Sequence, residues 1–218
     1  MREAHGLKSP RQLDVVDLRV DGVGPVDLCL APGECLVLSG PSGAGKSRLL
    51  RAIADLDVHE GRVCCRGTLA EDLEASEWRR RVGMLCADSQ WWRDRVGEHF
   101  SEPPPMAQLE ALDLNADLLD APVERLSSGE RQRFALLRLL ANQPRVLLLD
   151  EPTANLDPDN VTRVEKLVSD YIASEDAAVL WVSHDPVQTS RVAHRRLRLE
   201  AGRLCGDRQA TPTYDGTP

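Results

Sequence analysis

The sequence predicts an α/β fold with a mostly parallel core sheet, an N-terminal antiparallel sheet and a small helical subdomain. Three observations carry this expectation. Residues 40–47 read Gly-Pro-Ser-Gly-Ala-Gly-Lys-Ser, the glycine-rich pattern that joins a buried strand to a helix around a phosphate. Residues 146–150 and 178–183 are continuous apolar runs closed by Asp150 and Ser183, as in strands buried on both faces of a parallel sheet. Residues 12–38 instead alternate apolar with polar side chains, the habit of strands with one wet face.

Taken in order, Leu13, Val15 and Leu18, then Val26, Leu28 and Leu30, mark two antiparallel strands separated by the turn Gly22-Val23-Gly24-Pro25. Ala31-Pro32-Gly33 turns the chain into a buried strand over 35–39 that ends at the glycine-rich loop. Leu49, Leu50, Ile53, Ala54 and Leu56 recur at helical spacing and predict a helix over 47–56. Strands are expected over 62–66 and 82–86, with a helix over 74–80 between them. Pro103-Pro104-Pro105 breaks the chain before one or two short helices in 106–120, within a helical subdomain spanning about 98–142. Helices over 129–142 and 158–173 precede the two apolar strands. All 218 residues are expected to form one domain, with a polar tail, about 206–218, expected to be disordered.

Composition narrows the function. Apolar residues at 42% and charged residues at 28% suit a globular domain with a substantial core. A net charge of −8, from 27 basic and 35 acidic residues, argues against nucleic acid as a partner. The N-terminus leads into no apolar run, so no signal peptide is expected, and no stretch reaches the roughly 18–20 apolar residues of a membrane span. Membrane contact is therefore expected only through a partner. The six cysteines show neither a C-x-x-C pair nor zinc spacing, and buried, reduced thiols of a cytoplasmic protein are the expectation. Cys86 is singled out because it lies beside a catalytic loop, and Trp78 is expected in the core.

The loop Gly40-Pro41-Ser42-Gly43-Ala44-Gly45-Lys46-Ser47 is a complete P-loop in its required context. Its backbone N–H groups and the following helix N-terminus suit phosphate, Lys46 would bridge the β- and γ-phosphates, and Ser47 would hold Mg²⁺. Only Lys8, Lys46 and Lys166 are lysines, so one of three serves this loop. Asp150 ends an apolar strand and would emerge beside the phosphates to hold Mg²⁺ through water, while Glu151 would polarise the attacking water. Ser127 begins a helix and, with the next backbone N–H groups, makes a second anion site, although an ordinary N-cap accounts for Ser127 equally well.

Together with this P-loop, Leu126-Ser127-Ser128-Gly129-Glu130, Leu147-Leu148-Leu149-Asp150-Glu151-Pro152-Thr153 and Ser183-His184-Asp185 resemble, in order, the motifs of the ATP-binding subunit of an ABC transporter. The resemblance covers nearly the whole chain and implies a P-loop NTPase of the ABC ATPase type that binds ATP and Mg²⁺. By that resemblance, Ser127, Ser128, Gly129 and Glu130 correspond to the signature that caps the γ-phosphate held by a second copy, giving a head-to-tail homodimer around two ATP molecules. Asn155-Leu156-Asp157 matches the D-loop, which places Asp157 at the dimer interface, and His184 matches the switch histidine beside the γ-phosphate.

The chain departs from the family pattern at several places. Residues 13–30 lack the aromatic residue on which the family stacks adenine, with Arg19 and Val20 the nearest candidates. Ala87 falls in the slot of the Mg²⁺-touching glutamine, leaving Asp88 as the favoured substitute and Gln90 as a more distant one. Arg48 stands next to the α-phosphate where Thr is usual, and Ser128 and Glu130 replace Gly and Gln. Trp91-Trp92 reads either as core or as an aromatic surface that docks a helix of a membrane partner.

The single ATPase domain, without coiled-coil insertion or C-terminal regulatory domain, is most similar to small bacterial ATPase subunits of the iron or metal-ion export type. That likeness implies a separate integral membrane permease and a location on the cytoplasmic face of the membrane. Two alternatives stay open: a non-transport ABC ATPase, and a nucleotide-dependent binding switch with low turnover.

Overall fold

The computed structural model describes residues 11–206. The chain begins with β1 (Leu13–Val20), β2 (Val23–Leu30) and β3 (Cys35–Ser39), followed by helix α1 (Lys46–Ile53). Next come β4 (Glu60–Cys65), β5 (Thr68–Leu69), α2 (Ala75–Arg81) and β6 (Val82–Leu85). Short 3-10 turns and α3 (Met106–Ala111) lead to α4 (Ser128–Leu140), β7 (Val146–Asp150) and α5 (Pro158–Glu175). β8 (Ala178–Val182), α6 (Pro186–Val192), β9 (Arg195–Glu200) and β10 (Arg203–Gly206) complete the described residues.

Four strands form an antiparallel sheet in the order β2-β1-β4-β5, and six form the core sheet β10-β9-β3-β8-β7-β6. In the core sheet only β10 runs antiparallel to its neighbour. Alternation in β1 slips between Val15 and Leu18, where its ladder with β2 also shifts register and Asp17 takes φ 49°. This bulge returns Leu18 to the buried face.

The apolar runs are continuous because both faces of the core sheet are covered. Leu36 and Leu38 of β3, Leu148 of β7 and Leu180 of β8 join the core shared with α1 and the antiparallel sheet. Val37, Leu147, Leu149, Val179 and Trp181 point the other way, into a second core with Phe134 and Leu137 of α4 and Val164 and Val168 of α5. Trp78 is fully buried in the first core and donates from Nε1 to the Ile53 carbonyl at 3.0 Å. Each fully buried aliphatic side chain contributes about 1.5–3 kcal/mol, so the two cores hold the sheet rigid beneath its loops.

Several expectations are corrected. α1 ends at Ile53, and Leu56 follows a turn at Asp55 (φ 54°) and is partly exposed rather than part of the helical face. α6, β9 and β10 were not expected from the sequence. Among the cysteines only Cys35 and Cys65 are buried, while Cys205 is exposed. Gly206 ends β10, and the rest of the expected disordered tail, like the N-terminal segment read for a signal peptide, lies outside the described residues.

Candidate functional site

β3, flanked by β9 and β8, delivers the chain to the glycine-rich loop at the C-terminal end of the core strands. Gly40 has φ 146°, and a Cβ there would sit 2.1 Å from the Leu199 carbonyl oxygen of β9. Gly45 has φ 100°, and a Cβ there would meet Val23 Cγ2 at 2.2 Å. Both positions admit glycine alone, because strain and collision coincide. No side chain caps α1, so the N–H groups of its first turn are left for a ligand, and the helix dipole favours an anion there.

Lys46 is 7% exposed, and its Nζ donates to the carbonyls of Gly40 and Pro41, each at 3.0 Å. Burial pulls its pKa below the usual lysine range, while the nearby charges of Glu151 and Asp150 act in the opposite sense. The loop backbone thus fixes the ammonium at the floor of a cleft of about 370 Å³. Ser42, Gly43, Gly45, Lys46, Ser47 and Arg48 line one wall of this cleft. Ala87, Asp150, Glu151, Ala154 and His184 line the other. Gly40 and Pro41 face a neighbouring cleft instead, which also reaches His184.

Asp150 ends β7 and is 5% exposed. Glu151 follows with φ 50°, its N–H donating to the Val182 carbonyl at 3.2 Å, so its side chain turns away from that of Asp150. One strand over, His184 leaves the end of β8, and its Nε2 lies 2.6 Å from Glu151 Oε1. A carboxylate and an imidazole from adjacent strands therefore meet at the open side of the phosphate loop. Arg48 donates from Nη1 to the Asp21 carbonyl at 2.8 Å, which lays its guanidinium against the β1–β2 turn. Arg19 pairs with Asp17 at 2.8 Å, and Val20 is buried.

The second anion motif lies outside this cleft. Ser127 caps α4 in a reciprocal box: Glu130 N donates to Ser127 Oγ at 3.2 Å, and Ser127 N and Oγ donate to Glu130 Oε2 at 2.8 and 2.7 Å. These hydrogen bonds, the side-chain one first, hold the Glu130 carboxyl below the usual range. Asp157 caps α5, accepting from Asn160 N at 2.9 Å and Nδ2 at 2.7 Å. The backbone bond from Asn160 is the main reason its carboxyl is depressed. Arg133, buried in α4, donates to Asn160 Oδ1 at 2.8 Å and to the Leu112 carbonyl, tying the Ser127 and Asp157 segments together.

Asp88 is exposed and absent from the cleft lining, where Ala87 stands. Gln90 is exposed, and its Nε2 donates to the Asp88 carbonyl at 3.4 Å. Burial is the main cause raising the Cys86 thiol pKa, so the group is held as a thiol. Trp91 packs partly into the second core and Trp92 is 66% exposed, with the Arg138 guanidinium over both rings at 4.6 and 4.7 Å. The core reading thus holds for Trp91 and not for Trp92.

Sequence reasoning missed the supports of the site: Gln188, Glu165 and Arg191, which brace its loops, and Leu199, which closes over Gly40.

Ser47 and Asp150 present hard oxygen donors, and no group of three or more His, Cys, Asp or Glu side chains that could cage a metal occurs among the described residues. That donor set fits Mg²⁺, which is held by one or two protein oxygens together with phosphates. A glycine cradle, a buried lysine, an acidic strand end and a carboxylate–imidazole pair define an ATPase of the P-loop class. The model of the ABC transporter family matches residues 23–154. The chain belongs to this family, as an ATP-binding subunit.

It is 31% identical to the phosphate import ATP-binding protein PstB of Aeropyrum pernix, covering 88% of this chain and 90% of the relative. It is 35% identical to the lipoprotein-releasing system ATP-binding protein LolD 1 of Rhodospirillum rubrum, covering 82% and 86%. Against the probable iron export ATP-binding protein FetA of Escherichia coli identity is 33%, covering 73% and 76%. Among solved structures, an ATP-binding subunit of an ABC transporter superposes with a TM-score of 0.81 at 22% identity, covering 88% of each chain. A dimeric ATP-binding cassette bound to ADP and Pi superposes with a TM-score of 0.74 at 23% identity, covering 88% of this chain and 96% of its own.

Proposed function

We propose that this chain pairs head to tail with a second copy around ATP and thereby drives a separate integral membrane permease. The observation that carries the proposal is the separation of two phosphate-binding motifs. Lys46 and the Glu151–His184 pair share one cleft, whereas Ser127 heads another helix outside it. A second copy turned by a two-fold axis would bring its Ser127 to the first copy's cleft, an isologous arrangement that satisfies both motifs at once. The relative solved as a dimer with ADP and Pi supports this pairing.

In the hydrolytic step the P-loop N–H groups and Lys46 hold the triphosphate, and Arg48 meets it near the α-phosphate. Ser47 and Asp150 would hold Mg²⁺, with Asp88 the candidate for a further contact; when bound, the ion would neutralise charge on the phosphates. Glu151 accepts a proton from the attacking water, and His184, with Nε2 2.6 Å from Glu151 Oε1, orients the carboxylate. Catalysis here is positioning and electrostatics with no covalent intermediate. No described helix is long and apolar enough to cross a membrane; in this reading membrane contact is made through the permease. Likeness to the iron export relative supports a metal ion as the cargo, beside relatives for phosphate and lipoprotein.

The test is Glu151→Gln, expected to trap an ATP-bound dimer. A monomer in saturating ATP, read by light scattering, would overturn the proposal. Capture of one polytopic membrane protein from detergent-solubilised membranes of the source cell would identify the permease and its cargo. A second reading, a nucleotide-gated switch with low turnover, is favoured by Ala87 in the cleft wall. Turnover of the purified chain, with and without membranes, separates the two.

A further inference from the structure

We propose that Gln188 is a positioning residue for hydrolysis. It clamps the loop carrying Glu151 to the loop carrying His184, and Glu165 with Arg191 fixes the orientation of its amide. The proposal rests on the hydrolytic roles given above to Glu151 and His184.

β7 and β8 are adjacent, with Asp150 opposite Val182, so both loops leave the sheet side by side. The backbone links them only at their base, through Glu151 N and the Val182 carbonyl at 3.2 Å. Beyond that point Gln188, 3% exposed, is hydrogen-bonded to both loops. Its Oε1 accepts from Ser183 Oγ at 2.8 Å, and Ser183 is the residue before His184. Its Nε2 donates to Thr153 Oγ1 at 2.9 Å, and Thr153 is two residues after Glu151. Ser183 Oγ also accepts from Asp185 N at 3.1 Å, which fixes the turn around His184 from both sides.

An amide can be placed either way round, and a neighbour must choose. Here Glu165 Oε1 accepts from Gln188 Nε2 at 3.0 Å. A flipped amide would set its carbonyl oxygen against this carboxylate. Glu165 is 9% exposed and is itself held by Arg191, from Nε at 2.8 Å and Nη2 at 2.7 Å. Arg191 belongs to the same helix as Gln188, so α6 carries both the amide and the cation that anchors its acceptor. The chain of fixed groups runs from α5 through Gln188 to both loop ends, and the outcome is the 2.6 Å contact of Glu151 with His184. Such a network specifies a single arrangement only while every member is satisfied.

None of these groups lines the phosphate cleft, so loss of the clamp should separate turnover from nucleotide binding. A catalytic group displaced by about 1 Å loses on the order of 100-fold in rate. Gln188→Leu is expected to lower kcat by about that factor with the Kd for ATP unchanged. Gln188→Glu sets two carboxylates face to face, and Glu165→Gln sets an amide NH2 against either Gln188 Nε2 or the Arg191 guanidinium, so both should lower kcat. The double variant Glu165→Gln/Gln188→Glu restores a donor opposite an acceptor and should recover kcat above either single variant. A merely structural role would lower the melting temperature and ATP affinity together with kcat, whereas a positioning role lowers kcat alone.

The proposal is overturned if Gln188→Leu turns over ATP at the wild-type rate. It is overturned equally if kcat and ATP affinity fall together with the melting temperature and the double variant recovers nothing. Should Gln188→Leu not fold, Thr153→Val removes one strut at constant shape and carries the same test of kcat against Kd. Wild-type turnover of Glu151→Gln would instead refute the underlying roles. That case is distinct from failure of the clamp, in which Glu151→Gln is inactive while Gln188→Leu is active.

Discussion

Glu130→Gln should weaken the fold slightly and strengthen ATP-driven pairing. The carboxylate now accepts from both Ser127 N and Ser127 Oγ, at 2.8 and 2.7 Å, at the positive end of α4. A glutamine still completes the box through its carbonyl oxygen. What is lost is the charge–dipole term, roughly 0.3–1 kcal/mol, and part of the charge assistance in two hydrogen bonds. A net loss of about 1 kcal/mol lowers Tm by about 2–4 °C for a domain of this size.

On the pairing side the sign reverses. The wild-type carboxylate would lie at the helix end that meets the partner's γ-phosphate, where one charge repulsion at 4 Å costs about 1 kcal/mol even in bulk water. The sandwich has two such contacts, so removing both charges gains about 2 kcal/mol, or roughly 30-fold in the dimerisation constant. The assay is light scattering against ATP concentration, with Glu151→Gln as the common background. The pH dependence supplies a check on the fold. A carboxyl depressed in the folded state contributes stability that is present above its unfolded pKa and lost as pH falls through its folded value. The wild type should therefore lose this increment in acid, while Glu130→Gln stays level through that window. Dimerisation that is unchanged or weaker in Glu130→Gln, with Tm lowered as expected, would refute the placement of this helix end against a phosphate.

Other outcomes follow from the same geometry. Gly40→Ala puts a methyl 2.1 Å from the Leu199 carbonyl and should abolish ATP binding in equilibrium titration while part of the antiparallel sheet's amide protection survives. No Phe, Tyr or Trp lines the cleft among the described residues to supply the roughly 1–3 kcal/mol of base stacking. ATP and GTP should bind within about tenfold of each other, a difference of about 1.4 kcal/mol, and Arg48→Ala should weaken both alike in competition titrations. Trp92→Ala, at an exposed ring clear of the cleft, should leave basal ATPase unchanged and reduce capture of the membrane partner.

The chemistry was legible because phosphate binding constrains residue type and spacing together: Gly40 and Gly45 leave no room for a side chain, and the motif asks for a lysine and then a hydroxyl, met here by Lys46 and Ser47. Asp150 was legible for another reason, as the one acid closing a run that both faces of the sheet bury. β9 was missed although Leu197 and Leu199 alternate with Arg196 and Arg198, because four charges in Arg195–Glu200 outweigh two leucines in any local count. The helix over 47–56 was carried too far because Leu56 keeps helical spacing, whereas the chain turns at Asp55. The Gln188–Glu165–Arg191 brace left no trace, since its members are brought together by helix packing and each alone reads as a solvated polar residue.

The seat of Gly40 beneath the Leu199 carbonyl has a consequence for synthesis. The phosphate loop is translated first, and the strand that closes over it, paired with β3 from Leu36–Arg195 to Ser39–Arg198, leaves the ribosome about 150 residues later. Asp150 and His184 also emerge well after the loop they serve. A nascent chain halted before β9 carries the whole glycine-rich motif yet lacks the surface that shapes it. Nucleotide capture by ribosome-bound chains of increasing length should switch on only once β9 has cleared the exit tunnel, so unfinished subunits would not compete with finished ones for ATP.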